Sequence, residues 1–368
     1  MDNQDYIQDL LERAQELPHG LERLALVDEA VRAADLAQDG MAGYETRKEL
    51  IHSATYAGQS DCMLVAFAWC RTHLDLHPDD FPAWEHRSLA WYHKWVLNAA
   101  HHFPQIPLER VRDLHADDAR RLQILGYGGG TVPYFRLNLA LHRGDYEDAR
   151  VAFNVWQFAG RDSLSDCEAC EAQTIADYHE FLGDDQGCVA QVERMITRNM
   201  TCSHIPHSTH GMVLPALMRL GRWDDAQRHH EQGRDMVAGE PDHLTPQARH
   251  LEYLSVTAPD AALAWYARHL GWAERTSELD GRLDYHLAAV LLFRQLERAG
   301  RAHVTLALPQ DVPGHRPDGT YAVHDRYAYH ATQATALAWR FDGRNGLDYH
   351  VHRLERTPAL GDLPRPGA

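Results

Sequence analysis

The chain has 368 residues, 44% hydrophobic and 24% charged, a balance that excludes a disordered polymer and allows a sizeable core. Lys and Arg total 36 against 53 Asp and Glu, so the net charge is −17. That excludes non-specific nucleic-acid binding, which needs a basic face to displace counterions.

No apolar run approaches the roughly 20 residues that span a bilayer. The acidic start, Met-Asp-Asn-Gln-Asp, lacks the basic region and apolar stretch of a secretory signal. A cytoplasmic protein without membrane or nucleic-acid partners is therefore expected. Six cysteines are too few for a disulfide-built scaffold, so a close pair points to metal or redox chemistry. The 26 histidines read as a composition that favours His and Arg over Lys. Many of them would protonate between pH 7 and pH 6, moving the net charge toward zero.

From Tyr6 to Leu125 apolar residues recur at helical spacing, as in Leu10, Leu11, Ala14 and Leu17 or Leu24, Val27, Ala30, Val31 and Ala34. Proline and glycine fall between the runs, where helix ends belong. In Phe81 to Ala100, Trp84, Trp91 and Trp95 share one helix face. They read as packing between helices or, functionally, as an aromatic strip lining a peptide groove. After a break at 101–107 and a helix over Leu108 to Leu125 comes Gly126-Tyr-Gly-Gly-Gly130. It lacks the Lys-Ser/Thr ending of a phosphate loop and reads as a hinge. The expected organisation is one helical-repeat domain over 1–355, with arms 1–125 and 131–355 about a hinge at 126–130. Residues 356–368, rich in proline and glycine, read as a disordered tail.

Past Tyr134 a repeat becomes legible. Four junctions join a helix end to a polar start and then a small residue: Gly144 to Ala149, Gly183 to Cys188, Gly221 to Ala226, and Pro259 to Ala262. The small residues lie 39, 38 and 36 positions apart. Glycine suits a left-handed helix end, acids suit the positive start of the next helix, and small side chains permit close approach. A period of this size predicts an all-α fold, an α-solenoid of about eight antiparallel hairpins. Two further helices are expected over 282–299 and 321–340, separated by a Pro-rich loop from Leu308 to Gly319.

The stretches Tyr178 to Asp184 and Leu220 to Ala226 resemble the turns of tetratricopeptide-repeat-like proteins. The chain also resembles bacterial stand-alone repeat proteins carrying Asp-Cys-x-Ala-Cys, Cys-x-x-x-Pro-His and Phe-Asp-x-Arg-Asn-Gly, here Asp166–Cys170, Cys202–His207 and Phe341–Gly346. The similarity runs over roughly residues 20 to 350. It implies a TPR-like superhelix that binds a protein or peptide.

The most specific chemical pattern is Cys167-x-x-Cys170 with Cys202-x4-His207. Three thiolates and an imidazole suit tetrahedral Zn2+. One helix pair separates the two halves, so a metal here would tie neighbouring repeats as a closed, structural site. His204 and His210 are alternative fourth ligands. Cys62, Cys70 and Cys188 read as small buried residues, and His229-His230-Glu231 as a solvated helix face. Tyr321, His324, Tyr327 and His330 read as one packed helix stripe, and Asp342, Arg344 and Asn345 as a turn making capping bonds. The expected function is a non-enzymatic scaffold binding a protein or peptide, stabilised by zinc. The alternatives are a zinc-dependent hydrolase with an open metal position, near Asp166, Glu168 and Glu171, and a ligand-sensing regulator.

Overall fold

Apolar residues three and four apart, punctuated by glycine and proline, turn nearly the whole chain into helix. The computed structural model describes residues 3–365, and helix accounts for 75% of the chain. Among the described residues the strands amount to one antiparallel pair, β1 (His303–Thr305) and β2 (Thr320–Ala322). The all-α class holds. No helix among the described residues is long and apolar enough to cross a membrane.

Two compact units emerge. One comprises the residues up to Phe135 with Ala159–Leu164, the other Arg136–Phe158 with the chain from Ser165 onward. This differs from arms meeting at 126–130. Gly128 there is pinned: at φ 103°, it donates its N–H to Asp162 Oδ2 at 3.0 Å. A Cβ on Gly128 would press on Leu122 and Val132.

The first unit is a run of helices, each packed on the next: α1 (Asn3–Glu16), α2 (Leu21–Ala37), α3 (Gly40–Tyr56), α4 (Ser60–Leu76), α5 (Ala83–His101) and α6 (Leu108–Ile124). Its core is built on Val27, Tyr44, Ile51, Met63, Cys70 and Leu89. Buried charges have partners, as desolvation demands, Glu85 and Lys94 among them. Glu85 receives Tyr44 Oη at 2.9 Å and Lys48 Nζ at 3.0 Å. Lys94 donates to the Leu164 carbonyl at 2.9 Å and lies 3.4 Å from the Trp91 ring centroid. The unit boundary falls inside α7 (Thr131–Arg143).

The second unit continues with α8 (Tyr146–Gln157), α9 (Glu168–Phe181), α10 (Asp185–Thr197), α11 (His207–Met212), α12 (Leu214–Arg219) and α13 (Trp223–Val237). Then come α14 (Leu244–Thr257), α15 (Pro259–Arg275), α16 (Leu279–Arg298), α17 (Val323–Asn345) and α18 (Tyr349–Ala359). Helix α9 packs on α10, α11 on α13, α14 on both α15 and α16, and α16 on α17. The junctions behave as their residues require. Gly144, Gly183 and Gly221 take φ of 78°, 76° and 69°. Asp145 and Asp184 then cap the next helices by accepting from Asp148 N at 3.1 Å and Gly187 N at 2.9 Å. The third junction has Asp224 and Asp225 in the first turn and no side-chain cap.

The end of the chain differs from a disordered tail. Helix α18 runs to Ala359, and Asp362 pairs with Arg294 and Arg298. Trp223 Nε1 donates to the Pro364 carbonyl at 3.1 Å. Polar anchors outweigh the helix-breaking composition; residues 366–368 lie outside the described ones. Helix α18 packs across α16 and α17. Tyr321 also departs from the expected stripe: it sits on β2, one residue pair before α17, because Thr320–Ala322 bonds to β1. His324 is exposed and Tyr327 partly buried, while His330 is fully buried.

The solvated face expected of His229-His230-Glu231 is likewise replaced by packing. His230 is buried, its Nδ1 3.0 Å from His250 Nδ1, and His229 Nδ1 lies 3.1 Å from His210 Nδ1. His286 and His330 meet the same way at 2.8 Å. In each pair one ring donates and the other accepts, so the fold requires neutral imidazole. Burial pushes His229 and His230 down to about 4 and His286 to about 3.

Two outcomes follow from this packing. A Cβ on Gly144 would collide with Tyr349, whereas Gly183 has open space. Gly183→Ala should cost about 1–2 kcal/mol for its left-handed backbone, and Gly144→Ala distinctly more, read by urea denaturation. The depressed histidines contribute stability that is complete above the unfolded value near 6.5 and lost as pH falls from there to about 4. Each such histidine adds a slope of about 1.4 kcal/mol per pH unit in that window. His286→Gln should therefore flatten the measured pH profile of unfolding free energy by about one proton.

Candidate metal centre

Helix starts place the sulfurs. Cys167 is the N-cap of α9, and its Sγ accepts the N–H of Cys170 at 3.3 Å. Cys170 stands in the first turn, so the two-residue spacing turns both side chains to the same end of the helix. Cys202 lies in the loop before α11, folded by a bond from its N–H to the Ile205 carbonyl at 3.0 Å. The three sulfurs come within 4.8 Å of one another, and Cys170 and Cys202 approach to 3.5 Å. That exceeds the roughly 2.05 Å of a disulfide. It is close to the roughly 3.8 Å edge of a tetrahedron with zinc–sulfur bonds of about 2.3 Å. Ala169, Ala172, Met195 and Ile205 close an apolar floor beneath the set.

Electrostatics favour one thiolate in this trio. The Cys202 thiol is drawn down to about 5 by the hydrogen bond from Cys170, against burial, with help from the backbone N–H groups of His204 and Ile205. Cys170, the donor, is pushed up by that same bond and by burial. A thiolate stabilised beside two further sulfurs is a metal-ligating arrangement. The donor set is soft, which fits Zn2+ and other thiophilic ions better than oxygen-seeking ones.

The fourth predicted ligand stands apart. His207 opens α11, but its nitrogens are not within 4.8 Å of all three sulfurs. Its Nδ1 is buried without a hydrogen-bond partner, as an unspent donor atom would be. The alternatives are engaged elsewhere. His204 Nε2 pairs with Asp242 Oδ2 at 3.4 Å and is raised by that bond, while His210 faces His229. Asp242 also accepts from His243 Nδ1 at 2.9 Å. Burial opposes its charge, but bonds from His204 and His243 hold the carboxyl well below its usual range. Pro241-Asp-His243 carried no signal in the sequence, because its role depends on a loop folding against the Cys202 turn.

The remaining predicted residues fall as follows. Cys70 and Cys188 are buried and Cys62 partly so. Trp84 is 61% exposed, with Lys48 Nζ 5.7 Å from its ring. Trp91 and Trp95, on the same face of α5, pack into two different apolar clusters, Trp91 near Leu122 and Leu164, Trp95 against Tyr92 and His52. Asp342 makes the expected capping bonds, accepting from His350 N at 3.0 Å and Val351 N at 2.8 Å. Glu168 and Glu171 share the first turn of α9 with Cys170.

No protein-family profile matches the sequence, and no curated protein matches it. In metal-free protein at pH 6, iodoacetamide should label Cys202 at least several-fold faster than Cys170, as peptide mapping by mass spectrometry would show.

Proposed function

We propose that the protein is a helical-repeat binding scaffold, an α-solenoid of TPR-like hairpins in which a structural zinc ion ties one hairpin to the next. The observation that carries this reading is the convergence of Cys167 and Cys170, from the start of α9, with Cys202, from the loop that opens the following hairpin. Adjacent repeats contact only their neighbours, so a cross-repeat ligand set stiffens the weakest direction of such a stack. When bound, the ion supplies cross-linking between the two turns. His207, with its orphaned Nδ1, is the proposed fourth ligand that closes the site. The bound partner is a protein or peptide, and Trp84, Trp91 and Trp95 are the proposed contacts on the first unit. The compartment is the cytoplasm, consistent with free thiols.

One observation favours a second reading. Three rather than four protein donors converge, as in a catalytic zinc with an exchangeable position. A hydrolase of that kind would draw its general base from Asp166, Glu168 or Glu171.

Protein purified without chelator should carry about one zinc per chain, measured by mass spectrometry of the dissolved metal. Cys167→Ala and Cys202→Ala should each lose the metal and unfold at lower temperature. Metal-free wild type with unchanged melting would sink the clip. His207→Ala separates the two readings: the scaffold predicts a large loss of zinc affinity, the hydrolase retained zinc.

A further inference from the structure

A cavity of about 580 Å³ lies within the second unit, walled by α9, α12, α14 and α18. Its size is that of small-molecule sites, about 300–1,000 Å³. One wall is aromatic: Tyr146 stacks on Phe181 at 4.3 Å between centroids, and Phe181 meets Tyr349 at 5.6 Å.

The charges lining it are unequally matched. Arg219 is spent on Asp185 at 2.7 Å and Glu180 at 3.3 Å, and Arg353 on Asp284. Arg249 bonds Glu252 through one terminal nitrogen at 3.2 Å, and its Nε is buried without a partner. Arg356 reaches the Tyr146 hydroxyl at 3.4 Å and no carboxylate among the described residues. Asp177 accepts from Gln173 Nε2 at 2.8 Å and meets no cation at ion-pair distance among them. Asp177 and Arg356 therefore have no ion-pair partner among the described residues, and Arg249 keeps an unbonded Nε.

A simple anion entering it would face Asp177 and Glu180, and a simple cation would face four arginines. A zwitterion satisfies both ends. Burial pushes the Asp177 carboxyl up to about 7, and an ammonium placed beside it would favour its charged form. The cover of α18 bears on length. Tyr349, Arg353 and Arg356 of α18 form one wall, and a volume of about 580 Å³ suits a small ligand better than a long chain.

We propose that this cavity binds a short free peptide of two or three residues, its ammonium at Asp177, its carboxylate at Arg249 and Arg356, and an apolar side chain against Tyr146, Phe181 and Tyr349. The inference rests on the binding reading above and not on the metal.

Titration calorimetry of the zinc-loaded full chain tests it, using glycyl-L-phenylalanine and its N-acetyl and C-amide forms. The free dipeptide should bind, and blocking either end should weaken binding at least tenfold. Asp177→Asn should weaken the free dipeptide at least tenfold while leaving the N-acetyl form unchanged. Arg356→Gln should do the same for the free dipeptide against the C-amide. Equal binding of all three forms to the wild type, or no binding of the dipeptide to folded, zinc-loaded chain, would overturn the proposal. The wild-type comparison decides even where a variant unfolds. Dipeptide binding by chain that carries no zinc would support this site while overturning only the clip.

Discussion

The buried carboxylate of Asp342 fixes the part of the second unit on which the cavity depends. It satisfies three donors at once, the backbone N–H groups of His350 and Val351 and the ring Nδ1 of His350 at 2.9 Å. Burial alone would favour the neutral acid, but these bonds and the imidazole hold the carboxyl below its usual range. The left-handed Gly346, at φ 68°, lets the chain reverse between α17 and this cap. The direction of α18 is thereby set by a handful of polar atoms, and Tyr349 is delivered into the space that Gly144 leaves open. Without that reversal the cavity would have no wall on the side of Arg353 and Arg356.

The cysteine cluster is likewise placed by local backbone geometry. Cys167, at the N-cap of α9, presents its sulfur to the N–H groups of a helix start and accepts that of Cys170. The loop before α11 adds further backbone donors around Cys202. The sulfurs of the α9 start and of the loop before α11 thus meet within 4.8 Å of one another.

Helix existence, the Gly-Asp junctions and the shared helix start of Cys167 and Cys170 were legible in the sequence because each rests on short-range rules. Gly183-Asp184 announces a left-handed end and an N-cap within two residues, and Cys167-x-x-Cys170 announces one face of one helix turn. What escaped depends on distant partners. Gly128 looks flexible until Asp162 arrives from 34 positions later. His230 looks solvated until His250 faces it, and Arg356 looks like part of a tail until α18 folds back. Asp177 and Arg249 sit on separate helices in ordinary amphipathic contexts, and only their convergence on one cavity makes them notable. Asp342 was read as a capping residue, and its bonds to His350 and Val351 fulfil that role eight and nine positions on.

The chain does not finish one unit before beginning the other. It passes through residues 136–158 of the second unit and only then lays down Ala159–Leu164 on the first. The Leu164 carbonyl is the acceptor for the buried Lys94 ammonium, and Asp162 is the acceptor for Gly128. On the ribosome, where domains tend to fold in order of synthesis, the N-terminal helices gain the Leu164 acceptor for Lys94 only after residues 136–158 have been made. The same threading means that no single cleavage of the backbone releases the first unit whole.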